Sequence, residues 1–232
     1  MKISKLVSVA IIASLTACGD SGDSVNASCN PITDSRDGQS YCTVTIGSQT
    51  WMAENLNYKV AHSYCYGWDK SLALENCKKY GRLYTWSAAM DSSETWTSNG
   101  KNCGYGKKCS PIYPVRGVCP LGWHLPRKSE FDILISSVGG AEIAGKMLKS
   151  TSGWYNQGNG SNDYLFTALP GECRTASEDY KADEFENAYF WTSTEKGVLD
   201  AYYLGLKSGS DGASLMDDDK KSAFSVRCIK DE

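Results

Sequence analysis

Gly117-Val118-Cys119-Pro120-Leu121-Gly122-Trp123-His124-Leu125-Pro126-Arg127-Lys128-Ser129-Glu130-Phe131 is the stretch around which the rest of the chain is organised. It starts with a cysteine in a Pro/Gly turn and passes through a short apolar arm carrying Trp123 and Leu125. Beyond Pro126 the apolar residues fall at Phe131, Leu134, Ile135 and Val138, the i, i+3, i+4, i+7 stripe of an amphipathic helix. Pro126 suits the first turn, where an N–H has no partner to lose, and Glu130 lies near the positive end of the helix dipole. Gly139-Gly140 supplies the stop. A covalent anchor, a large aromatic and a docking helix thus share one segment, which reads as the core of a single domain.

Composition is that of a globular protein: 232 residues, 41% hydrophobic and 22% charged. The 14 Tyr and 7 Trp against 5 Phe favour amphipathic aromatics, which pack with one end and meet water or a ligand with the other. Net charge is −3, and without Lys2 and Lys5 the remaining 22 basic residues face 27 acidic ones, a net of −5. That sign argues against nucleic acid and against a basic patch for anionic lipid.

Residues 1–17 read as a signal peptide, with Lys2 and Lys5 ahead of an apolar run from Leu6 to Leu15 that is too short to span a bilayer. Leu15-Thr16-Ala17-Cys18 resembles the bacterial lipoprotein signal, which makes Cys18 the expected lipid anchor. Residues 18–33 read as a flexible tether, and 34–232 as the domain. The expected address is the bacterial outer membrane or cell surface. Exported cysteines are read first as disulfides. No C-x-x-C pair exists and both histidines are isolated, so metal-site spacing is absent. Spacing alone leaves connectivity open, but local pairs are cheapest. They give Cys29–Cys42, Cys65–Cys77 and Cys103–Cys109, with Cys119–Cys228 tying the hub to the last strand and Cys173 left as a buried thiol.

Tyr41, Thr43 and Thr45 alternate with Cys42, Val44 and Ile46, then Gly47-Ser48-Gln49 turns the chain towards Trp51. Strands are also expected at Tyr164–Leu169, Tyr189–Ser193, Ala201–Leu206 and Ala223–Ile229, the last with Phe224, Val226 and Cys228 on one face. Short helices are expected around Leu72, Leu74 and Cys77, after an N-cap at Thr85, and over Ala144–Leu148.

Asp37-Gly38-Gln39, Tyr41, Thr43-Val44 and Ile46-Gly47, then Gln49-Thr50-Trp51-Met52-Ala53-Glu54-Asn55-Leu56, resemble the opening of the Fibrobacter succinogenes major paralogous domain. The likeness continues through Tyr80-Gly81-Arg82-Leu83-Tyr84-Thr85-Trp86, the hub, Leu148–Trp154, Phe190–Glu195 and Ser225-Val226-Arg227-Cys228. It implies an exported or lipid-anchored bacterial protein and no established activity. Arg82–Thr85, the helix after His124-Leu125-Pro126 and the closing Val226–Cys228 are also similar to landmarks of the C-type lectin-like fold, in its formylglycine-generating branch. The expected architecture is therefore α+β and C-type lectin-like: short antiparallel strands, two or three helices, long loops and disulfides.

No catalytic constellation stands out. His124 sits between two apolar residues and His62 has no evident partner. The cysteine pair that formylglycine chemistry needs is missing between Leu199 and Val226. Glu54, Glu130, Glu172 and Glu195 are single carboxylates with no spacing that selects two. Calcium is the candidate cofactor, on Asp217, Asp218 and Asp219 or on Asp179, Asp183, Glu184 and Glu186, read as late acidic loops. For sugar, Trp154, Tyr155, Asn156, Asn159, Asn162 and Asp163 join aromatic faces to hydroxyl-pairing groups, and Trp96-Thr97-Ser98-Asn99 is similar in make-up. The expectation is a non-catalytic surface domain presenting loops to polysaccharide or to an envelope protein. The alternatives are an enzyme of the formylglycine-generating type and a purely structural envelope protein.

Overall fold

A computed structural model describes residues 29–67, 71–171, 173–177 and 185–232. The leader, Cys18, the tether up to residue 28, Glu172, Asp179, Asp183 and Glu184 lie outside the described residues. In chain order come β1 (Asn30–Thr33), β2 (Ser40–Ile46), β3 (Gln49–Met52), β4 (Ser63–Cys65), α1 (Ala73–Tyr80), β5 (Arg82–Thr85) and α2 (Trp86–Ala89). A long irregular stretch leads to β6 (Trp123–His124), α3 (Lys128–Ser137) and α4 (Ala144–Leu148). The last part is β7 (Asn187–Glu195), β8 (Asp200–Lys207), β9 (Ala213–Asp219), β10 (Ala223–Ser225) and β11 (Ile229–Lys230). One sheet runs β1-β2-β3-β11-β6 and the other β4-β5-β10-β7-β8-β9. Pairing is antiparallel except where Ser225 of β10 meets Phe190 of β7 in parallel. The domain is α+β, sheet-dominated and disulfide-bonded.

The six-stranded sheet is covered on both faces. Successive strand residues point to opposite sides, so Ala188, Phe190, Leu204 and Leu206 join Phe131, Leu134, Ile135 and Leu148 from the helices in one apolar cluster. Trp191, Ala201 and Tyr203 join Trp86, Val118, Trp123 and Leu125 in the other. Phe190-Trp191 therefore reads as an uninterrupted apolar run because each residue serves a different core.

The hub follows the periodic pattern. Phe131, Leu134 and Ile135 are buried on α3. The helix N-cap is Arg127, so Pro126 lies just ahead of the helix and not in its first turn, and Glu130 Oε2 accepts from the Arg127 backbone N–H at 2.6 Å. Gly139 and Gly140, at φ 106° and 98°, close the helix. The Gly140 N–H donates to Ile135 O at 2.9 Å and the Gly139 N–H to Ser136 O at 3.3 Å, a Schellman stop that only glycine takes without strain.

Other expectations are corrected. Asn30–Thr33, taken as tether, is strand β1, zipped onto β2. Tyr164–Leu169 is not a strand: Leu165 and Thr167 take φ of 55° and 52°, which breaks extended pairing. The closing strand is split into β10 and β11, since Val226–Cys228 crosses from one sheet to the other. Leu72 and Leu74 are 48% and 71% exposed, and Cys77 and Tyr80 are the buried residues of α1. The helices number four among the described residues rather than two or three.

Disulfides join Cys29–Cys42, Cys65–Cys77, Cys103–Cys109 and Cys119–Cys228, and Cys173 is a buried thiol. Cys119–Cys228 spans 109 residues and links the hub to the crossover between sheets. A long loop closed in the unfolded chain should stabilise by about 2–5 kcal/mol. The Cys119→Ser/Cys228→Ser double variant should lose that amount in urea unfolding, and wild-type stability would contradict the role given to this bridge.

Candidate functional site

The Tyr155–Gln157 turn, a single turn of 3-10 helix, meets the β8–β9 turn at Lys207–Asp211 across a polar groove. Trp154 starts the loop and is only 5% exposed. Its Nε1 donates to Ser150 Oγ at 3.0 Å and to Ala168 O at 3.2 Å, and its backbone N–H donates to Asn159 Oδ1 at 3.1 Å. The residue expected to stack on sugar is thus an internal anchor, because an indole N–H in a core needs acceptors and finds two. Tyr155, next in sequence, turns outward at 56% exposure. Asn156 and Gln157 take φ of 48° and 60°, the left-handed region that asparagine tolerates better than most residues.

The two turns are locked together. A Cβ on Gly158 would sit 2.3 Å from Ser208 O, so only glycine permits this approach. Below them, Lys149 is 1% exposed and its Nζ donates to Lys207 O at 3.0 Å and to Ser210 O at 2.9 Å. Its ammonium also lies 5.2 Å from the Trp154 ring centroid. Burial pushes the Lys149 pKa down, with the Asp211 charge opposing. The Ser208 N–H donates to Glu186 O at 2.7 Å and the Tyr155 N–H to Phe185 O at 2.9 Å, fixing the far wall.

The resulting groove has two adjoining parts of about 390 Å³ and 540 Å³ that meet at Asn156 and Ser208–Ser210. Tyr155, Glu186, Asn187 and Lys207 face the first, and Gln157, Asn159 and Asp211 the second. One aromatic face beside amides, hydroxyls and carboxylates can stack on a ring and exchange hydrogen bonds with its hydroxyls. No histidine or cysteine lines it among the described residues.

Of the residues expected to bind sugar, Tyr155, Asn156 and Asn159 come together here. Asn162 is spent on Thr167, accepting from its N–H at 2.7 Å and donating to its Oγ1 at 3.0 Å, and Asp163 is exposed and not part of the lining. Trp96 is packed edge-on to Tyr58 beneath the Arg36 guanidinium. Glu186, expected only as a calcium candidate, lines the groove, and Lys149, Asn187, Lys207, Ser208 and Ser210 were not singled out. Lys-Ser-Gly-Ser-Asp-Gly at 207–212 reads as turn chemistry, but sequence does not say which turn it faces.

The calcium candidates Asp217, Asp218 and Asp219 lie on strand β9, not in a loop, and do not converge. Asp217 takes the Lys196 ammonium at 2.8 Å, Asp218 accepts from Ser222 Oγ at 3.2 Å, and Asp219 accepts from the Lys221 N–H at 2.8 Å. Among the single carboxylates, Glu54 accepts from the Cys42 N–H at 2.7 Å, and Glu195 from Cys109 N–H and the buried Lys220.

His124 is a clamp. It is 5% exposed, with Nδ1 2.7 Å from Asp231 Oδ1 and Nε2 3.0 Å from Glu130 Oε1. Burial works against the imidazolium, but the hydrogen bond and charge of Glu130, then those of Asp231, outweigh it and raise its pKa. Burial likewise works against the Glu130 carboxylate, yet the His124 and Arg127 N–H bonds lower its pKa. A raised histidine contributes stability below its unfolded value of 6.5 and loses it as pH climbs through the folded one. The lowered Glu130 contributes above 4.5 and loses it as pH falls through its folded value. Wild type should therefore exceed His124→Gln in urea midpoint most at about pH 5–6, with the gap shrinking as pH rises through the raised histidine pKa. A gap independent of pH would contradict the charged clamp.

What these features define is a disulfide-stapled α+β domain with a preformed polar groove on its surface. The family described as the Fibrobacter succinogenes major domain matches residues 44–230, and the chain belongs to that family. No curated protein matches the chain. No solved structure matches it either.

Proposed function

We propose that the chain is an exported surface domain, lipid-anchored at Cys18, that binds polysaccharide in this groove without catalysis. The observation that carries the reading is Tyr155, an exposed ring at the end of a groove whose walls are already hydrogen-bonded in place. Preorganised walls spare a ligand the cost of ordering them. The anchor rests on Leu15-Thr16-Ala17-Cys18 and places the domain at the outer membrane or cell surface. The C-type lectin-like assignment rests on Arg82–Thr85, the hub and Val226–Cys228, and is part of the same proposal. Calcium, if used, would act through Glu186 or Asp211 at the groove rather than through β9.

The test is a polysaccharide panel probed with the full chain, with and without calcium. Tyr155→Ala should weaken the bound polysaccharide about tenfold, the value of one lost stacking contact, with an unchanged melting temperature. Trp154→Ala should instead cost about 3–5 kcal/mol of folding stability. No binding across the panel, or wild-type binding by Tyr155→Ala, would contradict the reading and shift it to a protein partner.

A further inference from the structure

A second cleft, of about 570 Å³, shares no residue with the groove. Its walls are the β2–β3 turn at Ser48 and Thr50, the start of α3 at Arg127 and Ser129, Pro114, and the segment from Ile229 to Glu232. His124, Glu130 and Asp231 also line it, but as the clamp they largely satisfy one another. Both Glu130 carboxylate oxygens are taken, one by the imidazole and one by the Arg127 backbone N–H.

Arg127 is placed differently. Its guanidinium lies 4.6 Å from the Tyr113 ring centroid, and the Tyr113 hydroxyl donates to Ser193 O at 3.3 Å, so the platform is itself held. Among the described residues the guanidinium makes no hydrogen bond and no ion pair, and its Nε is buried without an acceptor. A buried donor left unpaired is costly, and an arginine held by stacking keeps its edge as a fork matched to a carboxylate. Lys230, exposed on the same cleft, has no ion pair among the described residues. Glu130, Asp231 and Glu232 share this lining with His124, Arg127 and Lys230, so what marks the site is the open guanidinium fork and not a surplus of positive charge.

The geometry points to a second binding site, independent of the groove, that takes a carboxylate-bearing sugar. The carboxylate pairs with the terminal nitrogens of the Arg127 guanidinium, since Nε itself is buried. Ser129 donates to, and Glu232 accepts from, the sugar hydroxyls. The pair Tyr113 and Arg127 sets the preference for acid over neutral sugar, since a neutral ring brings no anion to the fork.

The experiment follows the side-chain Nε–Hε resonance of Arg127 in the full chain in detergent, assigned by its loss in Arg127→Lys. Trigalacturonate is titrated against its methyl ester, which keeps the sugar and removes the charge. The expected result is a saturable shift with the acid, at least tenfold weaker with the ester, and unchanged in Tyr155→Ala. Tyr113→Leu, which removes the platform, should weaken the acid at least several-fold while leaving the α3 backbone resonances in place. An Arg127 resonance that ignores the acid, or that responds equally to the ester, overturns the proposal. Because the readout is local, sugar bound in the groove alone counts against it too, while leaving the groove reading intact.

Discussion

The structure depends on a buried guanidinium. Arg227 is 1% exposed at the crossover between the two sheets, and among the described residues no carboxylate hydrogen-bonds to it. Each of its five N–H groups is nonetheless aimed at an oxygen. Nε and one terminal nitrogen donate to Asn55 Oδ1 at 3.1 and 2.6 Å. The others reach Met52 O, Phe166 O and Thr167 O. Phe166 and Phe190 cover the plane, with centroids 4.4 and 5.3 Å away. Burial lowers its pKa to about 9, with the charge of Glu54 opposing. A charge so placed holds the structure together only while every partner is present, since losing one leaves a buried charge uncompensated.

That network reaches the surface groove. Arg227 holds the carbonyls of Phe166 and Thr167; the next carbonyl, that of Ala168, accepts from Trp154 Nε1; and Trp154 precedes Tyr155. Asn55 carries the restraint the other way, donating to Tyr80 O and Ser225 Oγ, and so ties in α1 and β10. The groove wall is therefore continuous with the core. A loop supported in this way can vary on its outer side while its inner side stays fixed.

Much of this was readable in the sequence, for identifiable reasons. The stripe from Phe131 to Val138 and the Gly139-Gly140 stop are local, and local periodicity survives folding. The four disulfide pairs follow from the cheapness of short loops and from one long tie to the last strand. What could not be read depends on distant chain. Trp154 and Tyr155 are adjacent aromatics, and only Ser150 and Ala168 decide that the first faces inward. Strand β9 was hidden because Asp217–Asp219 look like solvated loop, whereas as an edge strand they meet water and neighbouring donors. Arg227 sits in a matched motif, but nothing nearby in sequence marks it as buried.

The most direct measurement is a urea-unfolding double-mutant cycle on Arg227→Met and Asn55→Ala. Each single change should cost about 3 kcal/mol or more, and the pair should cost less than the sum by about 1–3 kcal/mol. Costs that add within about 0.5 kcal/mol would contradict the arginine as the joint between the sheets.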